Sequence, residues 1–171
     1  MRKVSDESRL EGMMQRPIPK KKVGIVHLEM VKERRSLYGM ERFTTAEIAA
    51  SMVRSLVERS NREMFLVMSL DARLAPMALE IVAVGSISAC HVEPGDIFRH
   101  AIINNARSLI CFHNHPSGCP EPSSDDRSMT WKIRECGILL GIELIDHIII
   151  GEGNSFYSFR ENDALRKSEA A

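Results

Sequence analysis

A nearly apolar segment that leads straight into two histidines and then into a helix start is the feature that most constrains this chain. Residues 108–112 predict a short strand, and His113, Asn114, His115 and Pro116 follow it without a break. Because alternate residues of a strand point to the same side, His113 and His115 aim their imidazoles in the same direction. Pro116 favours an extended backbone at His115, which supports this geometry over a helical one.

A carboxylate follows at the start of the next predicted helix. Asp126 comes 11 residues after His115, and the Gly- and Pro-rich loop 116–122 is able to fold the helix start back toward the histidines. Two imidazoles and a carboxylate form an open three-ligand zinc site, whose remaining position takes a water with a pKa of about 7. Ser123 and Asp126 also fit a plain helix cap that needs no metal, and the two roles can coexist at one helix start.

The periodicity of the remaining chain predicts an α/β fold with a mixed or antiparallel sheet. A capping box with Thr44 as its cap starts the first helix, and a nearly unbroken apolar run predicts a central strand buried on both faces. The predicted elements are a strand over 23–30, a helix over 44–61, the central strand Met64–Leu70, its hairpin partner over 77–86, a helix over 94–106, the strand over 108–112, a helix ending near Gly141, and strands Glu143–Ile150 and 155–159.

The composition is that of an ordinary globular chain about one domain long. The 171 residues are 44% hydrophobic and 27% charged, with 23 basic and 23 acidic side chains. This balance lacks the overall basicity that points to nucleic acid. Residues 1–42 nevertheless carry 11 Lys/Arg against 6 Asp/Glu. We predict a flexible basic leader over 1–22, one domain over 23–165 and a tail over 166–171.

The sequence also predicts a cytoplasmic protein that does not enter a membrane. Its first residues mix acids and bases without the apolar core of a signal peptide, and its apolar runs fall short of the ~20 residues that a membrane span needs. The four cysteines include no Cys-x-x-Cys pair. Reduced thiols therefore fit better than a disulfide framework or a zinc ribbon.

The combined spacing H-x-H-x(7)-S-x(2)-D is much more specific than any of its parts. It is similar to the JAMM signature of JAB/MPN-domain metalloproteases, and the longer string HNHPSG…PEPS…D resembles the RadC branch of that superfamily. The similarity covers roughly residues 44–165. It implies an α/β fold of the JAB/MPN-like (cytidine-deaminase-like) type, with a mixed, mainly antiparallel sheet flanked by helices and zinc at the sheet edge.

The resemblance also implies a role for each matched residue. His113, His115 and Asp126 fall at the Zn²⁺ ligands of the family. Ser123 falls at a serine that donates a hydrogen bond to the oxyanion of the tetrahedral intermediate.

The family's general acid/base is an upstream glutamate, for which Glu80 is our candidate. It is the one charged residue of a predicted strand that precedes Gly85, and a partly buried carboxylate there is able to take a proton from water and return it to the leaving amine. Glu93, next to a helix start, is the alternative. Without catalysis, Glu80 is a solvent-facing hairpin residue and Glu93 serves the helix dipole.

Two further residues near the motif have alternative interpretations. Cys119 stands where the RadC pattern usually has an acidic residue. We interpret it as a loop residue, with a redox-active thiol or an additional metal ligand as alternatives. His147 lies between apolar neighbours in a predicted strand. We interpret it as a packed core histidine rather than as a partner of a metal ligand.

These observations favour a zinc-dependent hydrolase that cleaves a peptide or isopeptide bond in a protein or peptide substrate. One alternative is a nucleic-acid-associated protein of repair or mobile-element biology that uses the basic leader on phosphates. Another is a JAB-fold scaffold without turnover, because a fold does not identify a function.

Overall fold

The computed structural model describes Glu11 and residues 42–85 and 92–165. The helices and strands of these residues are α1 (Ala46–Val57), β1 (Met64–Leu70), β2 (Pro76–Val84), α2 (Pro94–Ile103), β3 (Ser108–Asn114), α3 (Ser124–Leu140), β4 (Glu143–Ile150) and β5 (Phe156–Ser158). Apart from Glu11, the predicted leader 1–22 lies outside the described residues, as do the predicted strand 23–30 and the tail 166–171. Those three predictions are therefore untested.

The five strands form one mixed, mainly antiparallel sheet in the order β2-β1-β3-β4-β5. β1 is antiparallel to β2 and β3, β3 is parallel to β4, and β5 is antiparallel to β4. A parallel pair needs a long crossover connection, and here the loop after β3 together with α3 supplies it. The predicted fold class is confirmed, and β3 is the central strand.

Apolar packing covers both faces of the sheet. Six of the seven residues of β1 are buried, as the nearly unbroken apolar run predicts. Alternate β1 side chains divide between two clusters, with Leu66 and Met68 in one and Phe65 and Val67 in the other. The first cluster includes the buried stripe of α1, and the second includes residues of α2 and α3.

The start of α1 differs from the prediction by one residue. Thr45, not Thr44, is the N-cap, because Thr45 is the last residue with an extended backbone, and its hydroxyl accepts a hydrogen bond from the Ile48 N–H at 3.3 Å. α1 also ends at Val57, four residues before the predicted end.

β3 is longer than predicted, and this difference affects the site. The strand continues through His113 to Asn114, because both residues remain paired with β4. His113 is therefore held in the sheet, whereas His115 lies one residue beyond it. By contrast, α2 ends at Ile103, three residues early, and β5 is shorter than predicted.

α3 begins and ends where the sequence predicts. A capping box at Ser123 starts the helix, and Gly141 ends it with a φ of 69°, a left-handed conformation that glycine adopts without steric cost. None of the described helices has the length and apolar character needed to cross a membrane.

Candidate metal centre

Four side chains converge at the end of the central strand. One potential ligand atom from each of Glu63, His113, His115 and Asp126 lies within 4.8 Å of the others. The two histidine Nε2 atoms are 3.0 Å apart, and His113 Nε2 is 3.1 Å from Asp126 Oδ1. His115 Nε2 is 3.5 Å from Asp126 Oδ2. The cluster thus combines imidazole nitrogens and carboxylate oxygens around one point.

The antiparallel pairing of β1 with β3 brings Glu63 to this point. Phe65 pairs with His113, so Glu63, two residues earlier, lies beside the end of β3. Asn114 fixes this approach: its amide oxygen accepts from the Met64 N–H at 2.9 Å, and its amide nitrogen donates to the Arg62 carbonyl at 3.1 Å. The residue between the two histidines therefore holds the backbone on both sides of Glu63.

The capping box of α3 positions the second carboxylate. Asp126 Oδ2 accepts from the Ser123 backbone N–H at 2.7 Å and from the Ser123 hydroxyl at 2.6 Å. The Ser123 Oγ in turn accepts from the Asp126 N–H at 3.2 Å. This arrangement leaves Asp126 Oδ1 directed at His113. The cap and the cluster therefore coexist at one helix start, and a cap of this kind contributes about 1 kcal/mol of stability.

A tight loop orients the second histidine. His115 Nδ1 lies 2.7 Å from the Cys119 carbonyl oxygen, which can only accept, so Nδ1 has a proton and Nε2 is the nitrogen that faces the cluster. Gly118 makes this turn possible with a φ of 83°. The turn packs on the end of β4, where a Cβ added to Gly151 would lie only 2.6 Å from the Gly118 carbonyl oxygen.

His147 and Thr130 support the first histidine from behind. His147 Nε2 lies 2.8 Å from His113 Nδ1, and His147 Nδ1 lies 2.6 Å from the Thr130 hydroxyl. Burial lowers the pKa of His147 well below its ordinary value, so the ring is neutral. His147 is indeed buried in the core, but it also contacts a residue of the cluster, which the sequence interpretation did not expect.

Burial and hydrogen bonding oppose each other within the cluster. Burial would raise the pKa of Asp126, but its hydrogen bonds with His113 and His115 hold that pKa well below the usual range. The hydrogen bond with Asp126 raises the pKa of His115. Burial raises the pKa of Glu63, and the neighbouring His113 opposes this shift. Asp126 is therefore ionised, and Glu63 is the carboxylate better suited to hold a proton.

The spacing of the donor atoms is compatible with one bound metal ion. Bonds of about 2.0–2.2 Å in tetrahedral geometry would place neighbouring ligand atoms about 3.3–3.6 Å apart. The observed spacings of 3.0, 3.1 and 3.5 Å among His113, His115 and Asp126 are within a few tenths of an ångström of this range. Glu63 Oε1 is more distant, at 3.9 Å from His113 Nε2.

The structure places Glu80, the predicted general acid/base, outside this cluster. Its carboxylate lies 2.8 Å from His100 Nδ1, and its side chain is 55% exposed, against 14% for Glu63. Glu80 is therefore not part of the cluster, because the β1–β2 register pairs it with Val67 and its carboxylate contacts His100 of α2. Its predicted catalytic role is untested. Glu93, the alternative, is the N-cap residue of α2 and is also not part of the cluster.

The cluster lies at the end of the central strand β3. The thiol of Cys119 is exposed and does not belong to the cluster, so its use as an extra ligand is not supported; its backbone carbonyl is the group that contacts His115. A redox role of this thiol is untested.

The fold and the cluster define an α/β domain with a candidate metal centre at the end of its central strand. The sequence pattern of the RadC-like JAB domain matches residues 43–164, and the chain belongs to that family. The chain is 36% identical over 135 residues to a UPF0758 protein of Clostridium perfringens, which covers 73% of this chain and 59% of the relative.

Other relatives agree with this assignment. The chain is 38% identical over 140 residues to a UPF0758 protein of Clostridium beijerinckii, with 80% of this chain and 61% of the relative covered. It is 41% identical over 119 residues to a UPF0758 protein of Protochlamydia amoebophila, with 70% and 51% covered. The chain therefore spans about half to three fifths of the length of these curated relatives.

Proposed function

We propose that this chain is a zinc-dependent hydrolase of the JAMM type that cleaves a peptide or isopeptide bond. One observation carries the proposal: Glu63, His113, His115 and Asp126 direct their ligand atoms at one point from three separate segments of the chain. The match to the RadC-like JAB family supports the same chemistry. The RadC and UPF0758 names identify no substrate.

Three of these residues are the proposed zinc ligands. His113 and His115 present Nε2, because their Nδ1 atoms are occupied by His147 and by the Cys119 carbonyl. Asp126 adds one carboxylate oxygen and its negative charge. A zinc ion held by these three ligands would have one coordination position left for water. It would supply Lewis acidity and make that water acidic enough to ionise near neutral pH.

Glu63 is the proposed general acid/base in place of Glu80. Its side chain is 14% exposed and its Oε1 lies 3.9 Å from His113 Nε2, beside the three proposed ligands and close enough to reach a water molecule at the site. Burial raises its pKa, which makes it a better proton acceptor and then a better donor near neutral pH. Glu63 takes a proton from the attacking water and returns it to the leaving amine nitrogen.

Ser123 is the proposed donor to the oxyanion. Its hydroxyl proton points to Asp126 Oδ2 at 2.6 Å, so the hydroxyl must turn away from Asp126 to reach a substrate carbonyl. Asp126 Oδ2 keeps the Ser123 backbone N–H as a donor during this movement. The hydroxyl proton thus serves Asp126 and the oxyanion in turn, and Ser123 Oγ remains the acceptor of the Asp126 N–H.

The first experiment is elemental analysis of the purified protein, with folding checked by circular dichroism. We expect about one zinc ion per chain, and its loss in the folded His113→Ala/His115→Ala double variant and in Asp126→Ala. A wild-type protein that takes up no zinc after refolding with the metal would contradict the proposal. A folded double variant that still binds zinc stoichiometrically would contradict the ligand assignment.

The second experiment separates the two glutamates. Fluorogenic peptides and an isopeptide-linked peptide are incubated with wild-type protein, Glu63→Gln and Glu80→Gln. We expect Glu63→Gln to lower kcat/KM by about 10²–10⁴-fold with zinc still bound, because a general acid/base typically contributes that much. Glu80→Gln, the matched control, should retain wild-type kcat/KM. Zinc binding without turnover of any peptide would favour the scaffold alternative.

The nucleic-acid alternative depends on the basic residues of the leader, all of which lie outside the described residues. It stays a prediction. A mobility-shift assay at low salt tests it directly, because binding through phosphates weakens steeply as salt rises.

A further inference from the structure

The ring of His147 is held from both sides and at both nitrogens. It stacks on Phe159 at a centroid distance of 5.1 Å and lies against Phe65 at 5.4 Å. Its two nitrogens contact the Thr130 hydroxyl and the imidazole of His113. The residue is 1% exposed. Its orientation is therefore fixed, and its hydrogen bonds have defined partners.

The direction of these hydrogen bonds follows from Thr130. The Thr130 hydroxyl lies 2.6 Å from the Asp126 backbone carbonyl, and a carbonyl can only accept, so the single hydroxyl proton is used there. Thr130 Oγ1 must then accept from His147 Nδ1, which is also 2.6 Å away. The ring proton of His147 is therefore on Nδ1.

The proton on Nδ1 determines whether the other ring nitrogen, Nε2, donates or accepts. The partners of His147 are a hydroxyl and a second imidazole, and the ring is buried between aromatic side chains, where an uncompensated charge is costly. A neutral imidazole has one proton, so His147 Nε2 accepts from His113 Nδ1–H at 2.8 Å. His113 Nε2 is then the atom of His113 with a lone pair free to bind a metal ion.

We propose that Thr130 and His147 are positioning residues that hold His113 in the tautomer with Nε2 open to the metal. The inference rests on the proposed zinc site and extends it to residues that touch neither metal nor substrate. The hydrogen bonds run from His113 through His147 and Thr130 to the carbonyl of Asp126, so they also join the ligand on β3 to the ligand on α3. One short chain of contacts therefore sets both the tautomer and the spacing of two ligands.

The test replaces the Thr130 hydroxyl without changing the volume of the side chain. Thr130→Val removes the acceptor, whereas Thr130→Ser keeps it and is the matched control. In the valine variant, His147 is released to place its proton on Nε2, which then donates to His113 and moves the His113 proton to the metal-binding nitrogen. We expect zinc affinity, measured by chelator competition, to fall about 10–100-fold for Thr130→Val and to stay close to wild type for Thr130→Ser.

A second measurement reads the tautomers directly and does not depend on activity. Two-dimensional ¹H–¹⁵N NMR of the histidine rings in the metal-free protein should show His147 protonated at Nδ1 in wild type and Thr130→Ser. The Nε2-protonated form should appear in Thr130→Val. A wild-type His147 protonated at Nε2 would overturn the inference, and so would a folded Thr130→Val with wild-type zinc affinity.

The two measurements separate this inference from the proposed function. A wild-type protein that binds no zinc would contradict the proposed hydrolase. The tautomer of His147 in the metal-free wild type would still support or overturn the hydrogen-bond direction. If Thr130→Val does not fold, the wild-type spectrum alone decides the same point.

Discussion

Asp146 offers a quantitative test of the packing behind the site. Its carboxylate is fully buried in β4, where Oδ1 accepts from the backbone N–H groups of His147 at 2.8 Å and Arg160 at 3.0 Å, and Oδ2 accepts from the Ser158 hydroxyl at 2.6 Å. Burial nevertheless outweighs these bonds and raises the pKa of Asp146 from 3.8 to about 6. The perturbation is Asp146→Asn, which keeps one oxygen for the two backbone donors.

The sign of the effect follows from linkage. The pKa of Asp146 is higher in the folded chain than in the unfolded chain, so folding favours the protonated acid. Its contribution to stability is fully present below about pH 4 and is lost as the pH rises through about 6. A difference of about two pKa units corresponds to about 3 kcal/mol. The asparagine variant is neutral throughout and does not lose this contribution.

The assay is urea unfolding of wild type and Asp146→Asn between pH 4 and 7.5, with a chelator present. Relative to wild type, the variant should gain about 2 kcal/mol in the free energy of unfolding as the pH rises across this range, because the unfolded carboxyl is already partly ionised at pH 4. Any constant cost from the altered contact with Ser158 cancels in this comparison. A difference that stays constant within about 0.5 kcal/mol would refute the reasoning. Ser158→Ala should move the transition to higher pH, because it removes a donor to the ionised form.

Three further changes test the local geometry. Ser123→Ala should lower the free energy of unfolding by about 1 kcal/mol through loss of the cap, and an unchanged urea midpoint would contradict the capping role. Asn114→Ala leaves the Met64 N–H next to Glu63 without its acceptor, at about 1–3 kcal/mol, whereas the Arg62 carbonyl keeps the Ser60 hydroxyl as a donor; a thermal scan showing wild-type stability would count against that clamp. Gly151→Ala places a Cβ 2.6 Å from the Gly118 carbonyl oxygen, so the turn that orients His115 should shift and zinc affinity should fall. The control is Gly95→Ala, which has open space around the added Cβ and should bind zinc with wild-type affinity.

Much of the fold was accessible from local patterns. The predicted strands Met64–Leu70 and Glu143–Ile150 coincide with β1 and β4. Met64–Leu70 is nearly unbroken in its apolar character, as is typical of a strand buried in a sheet. The start of α3 was equally clear, because Ser123 and Asp126 complete a capping box within four residues. The end of β3 was not, since its last residues are polar and are held in the strand by pairing with β4.

The glutamate of the site shows where sequence reasoning reaches its limit. Glu80 was a reasonable candidate because it is a charged residue within a strand, but its register on β2 directs it to His100. Glu63 lies just before an apolar strand, and its only usable signal would have been the antiparallel register of β1 with β3. Pairing register between distant segments depends on the packing of the whole sheet rather than on the residues next to Glu63.

By itself, the sequence determined the α/β class, the two histidines and the aspartate, because their relative directions depend on strand alternation and a helix cap within a few residues. Only the tertiary structure decided which glutamate joins them and that His147 supports His113. Met64 and Asn114 are 50 residues apart, and the contacts that place Glu63 and His147 cross from strand to strand. Such contacts exist only after the strands have paired and the core around them has packed.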